Sequence, residues 1–170
     1  PLFLYTHPRD PHPPYEPLPP YDTRFRPEPA WSHYEKTKAL YDGEIAYNDA
    51  EIPNLLDRLE QEGIASNALM AFVSDHGEEF FEHGSWEHGQ TLYEEQLAVP
   101  LIMTFPGGVH AGSRVERPAR ITDLMATIAD VVGTAAPEGT GAESLLPLLT
   151  DGHGASYSPP FYSHLDLASS

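Results

Sequence analysis

The chain has 170 residues, no cysteine, and 26 acidic against 9 basic residues, which gives a formal charge of −17. The missing thiols exclude disulfides and thiolate metal sites, and the acidic balance argues against nucleic acid or an anionic membrane as a partner. No apolar run approaches the roughly 18 residues of a membrane span, and no signal peptide is visible. The length suits one domain, or part of one, with a solvated acidic surface.

The N-terminal third is predicted to contain a strand, a proline-rich loop and a helix. Residues 2–5 are predicted to form a short buried strand that runs into a histidine and aspartate cluster. Nine of the 18 prolines follow between residues 8 and 29, and the aromatic side chains among them favour an ordered loop over a flexible linker. Apolar spacing predicts a helix over residues 32–62, with a kink or break near Ile52 because Pro53 removes a backbone donor. Its predicted apolar face is Tyr41, Ile45, Ile52, Leu55, Leu56 and Leu59.

The remaining elements alternate between strands and helices. Strands are predicted over residues 68–74, 99–105 and 161–164, and a short helix or turn over 91–96. A further helix is predicted from Thr122 or Asp123 to a C-cap at Gly133, and residues 145–149 are an apolar segment docked from a loop. The expected apolar face of that helix is Leu124, Ile128, Val131 and Val132. This order predicts an α/β fold, with a mostly parallel sheet covered by helices on both faces.

A polar cluster ends the first strong apolar run at residues 69–73. Asp75 and His76 follow that strand, and ligands in open α/β sheets bind outside the carboxyl ends of the strands. A carboxylate beside an imidazole suits a divalent cation such as calcium, magnesium, manganese or zinc. The same dipeptide also fits an N-cap aspartate next to a hydrogen-bonded histidine, and two ligands do not complete a coordination sphere.

Three further histidines stand in comparable positions. His12 lies between two prolines, which fix its backbone and lower the entropy cost of positioning the ring. His83 and His88 are each followed by glycine, so either ring can be aimed inward from a loop. Each histidine alone is equally compatible with a structural role. Three segments carry these histidines: the first contains His12, the second His76, and the third His83 and His88. A parallel sheet would bring the three segments to one edge, which predicts a single site.

The order of these motifs resembles the sulfatase family of the alkaline phosphatase superfamily. The resemblance covers nearly the whole chain, including Asp123 and residues 144–149, and implies an alkaline-phosphatase-like fold. Its blocks are Phe3-Leu4-Tyr5 through Asp10-Pro11-His12-Pro13-Pro14-Tyr15, Tyr41-Asp42-Gly43-Glu44-Ile45, Ser74-Asp75-His76-Gly77-Glu78 with Glu82-His83-Gly84, Leu92-Tyr93-Glu94-Glu95, and Val99-Pro100-Leu101-Ile102 with Pro106-Gly107.

Site roles follow from this resemblance. It implies that Asp75 and His76 ligate the active-site divalent metal, calcium first, with magnesium or manganese as alternatives. It also implies that His12 is a catalytic residue that contacts the sulfate group of a small sulfated substrate. His88 is the second residue with an implied catalytic and sulfate-binding role. Many family members carry a lysine at its position; a histidine there can still bind the anion, with a charge that depends on pH. His83 is predicted to support the metal ligands without touching the metal.

Part of the family's machinery has no counterpart in the chain. The nucleophile is a formylglycine made from a Cys/Ser-x-Pro-x-Arg motif, which is absent here, as is the N-terminal pair of metal-binding aspartates. Both normally precede the block at which this chain begins. We therefore expect residues 1–170 to be the C-terminal portion of a sulfatase catalytic domain that is incomplete and inactive alone. Family members are often periplasmic, secreted or lysosomal, and the localisation of this protein stays open.

Metal-dependent hydrolysis of a sulfuric ester is the expected function, and two alternatives remain. A phosphate or phosphonate ester hydrolase, or a phosphoethanolamine-type transferase, would use the same fold with Thr, Ser or formylglycine as nucleophile. A non-catalytic metal- or anion-binding protein would result if the missing motifs had been lost in evolution. An intact Cys/Ser-x-Pro-x-Arg motif upstream in the gene would rule out that last alternative.

Overall fold

The computed structural model describes residues 2–25, 31–150 and 157–163 of the chain. The chain divides into two compact units. The first unit contains Pro1–Glu62 and Glu78–Glu87, and the second contains Gly63–Gly77 and His88–Ser170. No helix in the described part of the chain combines the length and the apolar character that a membrane span requires.

A long helix, α1 (His33–Gln61), is the main element of the first unit. It begins with a capping box, in which the Ser32 hydroxyl accepts from the Glu35 N–H and the Glu35 carboxylate accepts from the Ser32 N–H. The helix runs as one element through Pro53, so a break near Ile52 is wrong, and the alternative of a kink there stays a prediction. Pro53 and Asp49 are both exposed, and water can therefore solvate the Asp49 carbonyl that loses its donor.

The buried stripe of α1 differs from the predicted apolar face. Its buried residues are Ala39, Gly43, Glu44 and Ala46, whereas Ile45, Leu55 and Leu56 are exposed. The reason is the proline-rich loop, which lies directly on the helix: a β-carbon at Gly43 would come within 2.8 Å of the Tyr21 carbonyl oxygen. Any residue larger than glycine at position 43 would therefore displace the loop.

Three hydrogen bonds anchor the loop that carries His12. The Asn48 side chain of α1 donates to the Asp10 carbonyl at 2.7 Å, and the Glu16 N–H donates to the Glu44 carboxylate at 2.7 Å. Between them, the buried Tyr15 hydroxyl donates to the Glu78 carboxylate at 2.6 Å. Residues 10–16 of the loop are thus ordered, as predicted.

Aromatic packing completes the first unit. The Tyr15 ring meets Tyr41 edge-on at a centroid distance of 5.6 Å and lies 6.0 Å from Phe80. Phe80 belongs to strand β2 (Glu79–Phe80), which pairs antiparallel with β3 (Trp86–Glu87). Residues 2–5 form no strand, and their apolar side chains are 55–73% exposed, so the buried strand predicted there is wrong. No described strand pairs with them.

The second unit contains the other described strands. Strand β1 (Met70–Val73) pairs antiparallel with β4 (Leu101–Thr104), with Val73 opposite Leu101. Between them lies the short helix α2 (Glu94–Leu97), and after β4 follow α3 (Asp123–Val132) and α4 (Leu146–Thr150). Both described pairs are antiparallel, so the mostly parallel sheet with helices on both faces stays a prediction. The strand predicted over 161–164 is absent at 161–163, and His164 lies outside the described residues.

Helix α3 ends at Gly133, as predicted, with φ at 75° in the left-handed region. Its buried residues are Asp123, Ala126, Thr127 and Ala129, and Val132 of the predicted apolar face is 65% exposed. Polar contacts explain this difference. Asp123 accepts hydrogen bonds from Arg120, from the Tyr157 hydroxyl and from the N–H of Glu143, and Thr127 accepts from the N–H of the buried Leu145.

The Asp123 network holds its groups in fixed protonation states. Burial alone would raise the pKa of Asp123, but the hydrogen bonds from Arg120 and Tyr157 outweigh burial and lower that pKa below its usual value. Burial and the hydrogen bond to Asp123 raise the pKa of Tyr157 to about 12. A carboxylate, a guanidinium and a neutral phenol therefore share this site at neutral pH.

Replacement of Asp123 by alanine should destabilise the protein. We expect the free energy of unfolding of the protein expressed from its complete gene to fall by about 1–3 kcal/mol, because the partly exposed Arg120 and the buried Tyr157 hydroxyl both lose the carboxylate that accepts their hydrogen bonds. Urea denaturation measures this. Since the pKa of Asp123 is lowered in the folded state, its contribution is present above about pH 4 and is lost as the pH falls through the folded-state value. Equal effects of Asp123→Ala and of Asp130→Ala, an exposed position on the same helix, would contradict this account.

Replacement of Asn48 by alanine should loosen the His12 loop. We expect amide hydrogen exchange in a peptide covering residues 10–18 to accelerate about fivefold, the equivalent of one hydrogen bond worth about 1 kcal/mol. Mass spectrometry measures the exchange. The matched control is Asn54→Ala, since the Asn54 side chain donates to Glu51 of the same helix. Equal exchange in both variants would show that Asn48 does not anchor the loop.

Candidate active site

The turn after β1 fixes Asp75 and His76 through short-range hydrogen bonds. The Ser74 hydroxyl donates to the His76 carbonyl at 2.7 Å, and the His76 N–H donates to Asp75 Oδ1 at 3.0 Å. The side chains of Asp75 and His76 are 64% and 41% exposed. Both therefore remain accessible at the end of the strand, where the sequence predicts them.

The orientation of the His76 ring is set by the main chain. Its Nδ1 lies 2.8 Å from the Gly77 carbonyl oxygen, and because a carbonyl can only accept, Nδ1 must carry the proton. Nε2 is then the ring nitrogen that offers a lone pair, and it lies 3.8 Å from Asp75 Oδ2. A metal-ligating histidine usually donates its other ring N–H to a carbonyl or carboxylate in this way. The donor set, one anionic oxygen and one imidazole nitrogen, fits a divalent cation.

Gly77 allows this turn to pack closely on α2. Its N–H donates to the Gln96 carbonyl at 2.8 Å. A β-carbon at Gly77 would overlap the carbonyl oxygen of Glu95. Any larger residue would therefore displace the turn that carries the candidate ligands.

His88 lies beside His76 in the second unit. The two imidazole rings are stacked, with centroids 4.0 Å apart and an interplanar angle of 28°. They line a cleft of about 200 Å³ together with Gly89, Thr91 and Gln96. The structure thus brings together three of the predicted site residues: Asp75, His76 and His88.

His12 lies in the first unit, on the anchored loop. Its ring repeats the pattern of His76, with Nδ1 2.8 Å from the carbonyl oxygen of Pro13. Nδ1 therefore carries the proton, and Nε2 can donate a hydrogen bond to an anion only when the ring is the imidazolium. Burial raises the pKa of Glu44, which holds one end of the loop. Burial and the hydrogen bond to Glu78 also raise the pKa of Tyr15, so the phenol that anchors the loop stays protonated.

His83 also lies in the first unit, on a turn held by Glu79. The Glu79 carboxylate is fully buried and accepts from the N–H groups of His83 and Ser85 at 3.1 and 2.9 Å. This arrangement fixes the backbone of the turn, and the predicted role of His83 stays a prediction.

The sequence patterns predict no role for the residues that support these turns. They are Glu44 and Asn48 on α1, Glu79 at the start of β2, and Gln96 on α2. The small residues Gly43 and Ala46 beside Glu44 were the one available signal, because they mark a helix face on which another segment packs closely. Gln96 carries no comparable sequence signal.

Comparisons with known proteins find similarity to sulfatases and to phosphonate monoester hydrolases. The chain is 31% identical to human arylsulfatase K over 114 residues, which is 67% of this chain and 21% of that protein. The structure of BT4656 in complex with its substrate D-glucosamine-2-N,6-O-disulfate is similar at a TM-score of 0.62 and 30% identity, over 71% of this chain and 24% of that one. A phosphonate monoester hydrolase from Silicibacter pomeroyi is similar at a TM-score of 0.63 and 31% identity, over 76% and 24%.

These similarities cover most of this chain but only a part of each relative. The chain spans about a fifth of the length of the curated relatives it matches. The solved structures that resemble it have sulfatase and alkaline-phosphatase-like folds. The model of the sulfatase family matches residues 1–134. The chain therefore belongs to the sulfatase family.

Proposed function

We propose that residues 1–170 are part of the catalytic domain of a metal-dependent sulfuric ester hydrolase. The observation that carries the proposal is the Asp75–His76 pair, whose Oδ2 and Nε2 atoms lie 3.8 Å apart on a turn fixed by Gly77. Family membership supports it. The proposal requires a nucleophile from outside these residues, since the chain has no cysteine and no Ser-x-Pro-x-Arg motif.

Asp75 and His76 would hold the divalent metal. Calcium is the first candidate because carboxylate oxygens are its usual ligands, and magnesium or manganese are the alternatives. When bound, the cation supplies positive charge and Lewis acidity toward the oxygens of the ester. The protein's own contribution is to hold the carboxylate and the ring ready, with the His76 tautomer fixed by the Gly77 carbonyl.

His12 and His88 would bind the sulfate group of the substrate. A chain with a net charge of −17 repels an anionic substrate unless cationic groups neutralise it locally. His12 can supply such a group as the imidazolium, donating from Nε2 while the Pro13 carbonyl holds Nδ1. His88, stacked on His76, places a second ring beside the proposed metal ligand. Hydrogen bonds aimed at the sulfate oxygens stabilise the charge that develops there in the transition state.

A small sulfated molecule is the proposed substrate. The similar protein BT4656 was solved with a disulfated glucosamine, which favours a sulfated sugar. Hydrolysis of a phosphonate ester is the second candidate activity, because the chain is also similar to a phosphonate monoester hydrolase. Sulfate and phosphonate esters both present tetrahedral anionic centres to the same residues.

Substitution of a metal ligand tests the proposal. We expect the protein expressed from its complete gene to hydrolyse 4-nitrophenyl sulfate in the presence of calcium. Asp75→Asn should lower kcat/KM by about 100-fold or more, because a neutral amide is a weaker ligand for the cation. The matched control, Asp57→Asn, changes an exposed carboxylate on α1 and should leave kcat/KM unchanged.

The outcomes separate the alternatives. Equal kcat/KM for Asp75→Asn and the wild type would overturn the metal assignment. Turnover of 4-nitrophenyl phenylphosphonate at a higher kcat/KM than the sulfate ester would favour the phosphonate hydrolase. Absence of turnover of both esters would favour a non-catalytic metal- or anion-binding protein.

A further inference from the structure

We propose that Gln96 is a positioning residue that holds the turn after His76 and the turn after His88 in one fixed register. The inference rests on the proposed function, because the two groups that Gln96 would position are the proposed metal ligand His76 and the proposed anion-binding residue His88. In this proposal Gln96 acts through the two turns.

One buried residue makes hydrogen bonds to both turns. The main-chain carbonyl of Gln96 accepts from the N–H of Gly77, directly after His76, at 2.8 Å. Its side-chain carbonyl accepts from the N–H of Gly89, directly after His88, at 3.0 Å. The side-chain amide donates to the Thr91 hydroxyl at 2.7 Å, which fixes the orientation of the amide group. Gln96 is only 5% exposed, so water competes little for these bonds.

The backbone conformation of Gly89 explains why its hydrogen bond to the Gln96 side chain matters for His88. Gly89 has φ at 79°, a left-handed conformation in which glycine has no steric cost. A glycine in that position gives the chain after His88 several accessible paths, and the bond from its N–H to Gln96 selects one of them. The His88 and His76 rings are stacked at 4.0 Å between centroids, and in this proposal that arrangement depends on the path chosen at Gly89.

The main-chain and the side-chain hydrogen bonds of Gln96 can be separated experimentally. Substitution of Gln96 removes the bonds to Gly89 and Thr91 but keeps the main-chain carbonyl that holds Gly77. We therefore expect a variant to disturb His88 and to leave Asp75 and His76 in place. Activity should fall, while calcium affinity stays at the wild-type value. A residue with a general structural role would change both.

A double-mutant cycle tests the route through His88. In the protein expressed from its complete gene, Gln96→Met keeps the length of the side chain and removes its hydrogen bonds. We expect kcat/KM for 4-nitrophenyl sulfate to fall about tenfold in the wild-type background, but less than about twofold in the His88→Ala background. The matched control is Glu94→Gln, at an exposed position on the same helix, which should leave kcat/KM unchanged. Equal losses in the two backgrounds would overturn the proposal.

A second measurement does not depend on turnover. With ¹⁵N-labelled histidine, the ring signals of His76 and His88 report their stacking, and Gln96→Met should shift the His88 signals while Glu94→Gln leaves them unchanged. Such a shift in a protein without sulfatase activity would support the positioning role and count only against the proposed function. Unshifted His88 signals would overturn the positioning role. Thr91→Val, which removes the bond that orients the amide, replaces Gln96→Met in both tests if that variant does not fold, with a smaller change in the same direction.

Discussion

The hydrogen bond from His76 Nδ1 to the Gly77 carbonyl determines what the candidate site can do. It assigns the ring proton to Nδ1 and leaves Nε2 to face Asp75 Oδ2 at 3.8 Å. The bond exists because the turn after β1 is tight, and the turn is tight because Gly77 packs against α2 without a β-carbon. Strand, turn and short helix thus act together to present one carboxylate oxygen and one imidazole nitrogen.

The same device recurs at His12, where the Pro13 carbonyl holds Nδ1. In both cases a neighbouring carbonyl fixes the ring, which requires no partner distant in sequence. The loop that carries His12 nevertheless needs α1, because Asn48 and Glu44 hold its two ends. Local contacts therefore orient each ring, and contacts between distant segments place the loops.

Acidic residues serve the interior as well as the surface. The acidic composition predicts a solvated acidic surface, yet Glu44, Glu79 and Asp123 are buried. Each accepts backbone N–H groups from a loop, so carboxylates in this protein connect loops to helices and strands. Burial of a carboxylate is tolerated where such donors satisfy its charge, as at Glu79 and Asp123.

Local sequence patterns correctly predicted the helices and strands that depend on residues close together in the sequence. Helix α1, strand β1, strand β4 and helix α3 with its Gly133 cap follow from periodicity and capping, and the Asp75–His76 pair follows β1 as expected. The exposure of residues 2–5, the antiparallel pairing of β1 with β4 and the buried face of α3 depend on partners far away in the sequence. Gln96 was missed for the same reason, since its role arises from two turns that meet only in the folded chain.

Direct observation of a bound cation tests the central claim, that Asp75 and His76 form part of a metal site. Crystals of the protein expressed from its complete gene, grown with manganese and measured at the manganese absorption edge, would locate the ion by its anomalous scattering. We predict a peak within about 2.0–2.6 Å of both Asp75 Oδ2 and His76 Nε2. A manganese peak coordinated by neither atom would contradict the account.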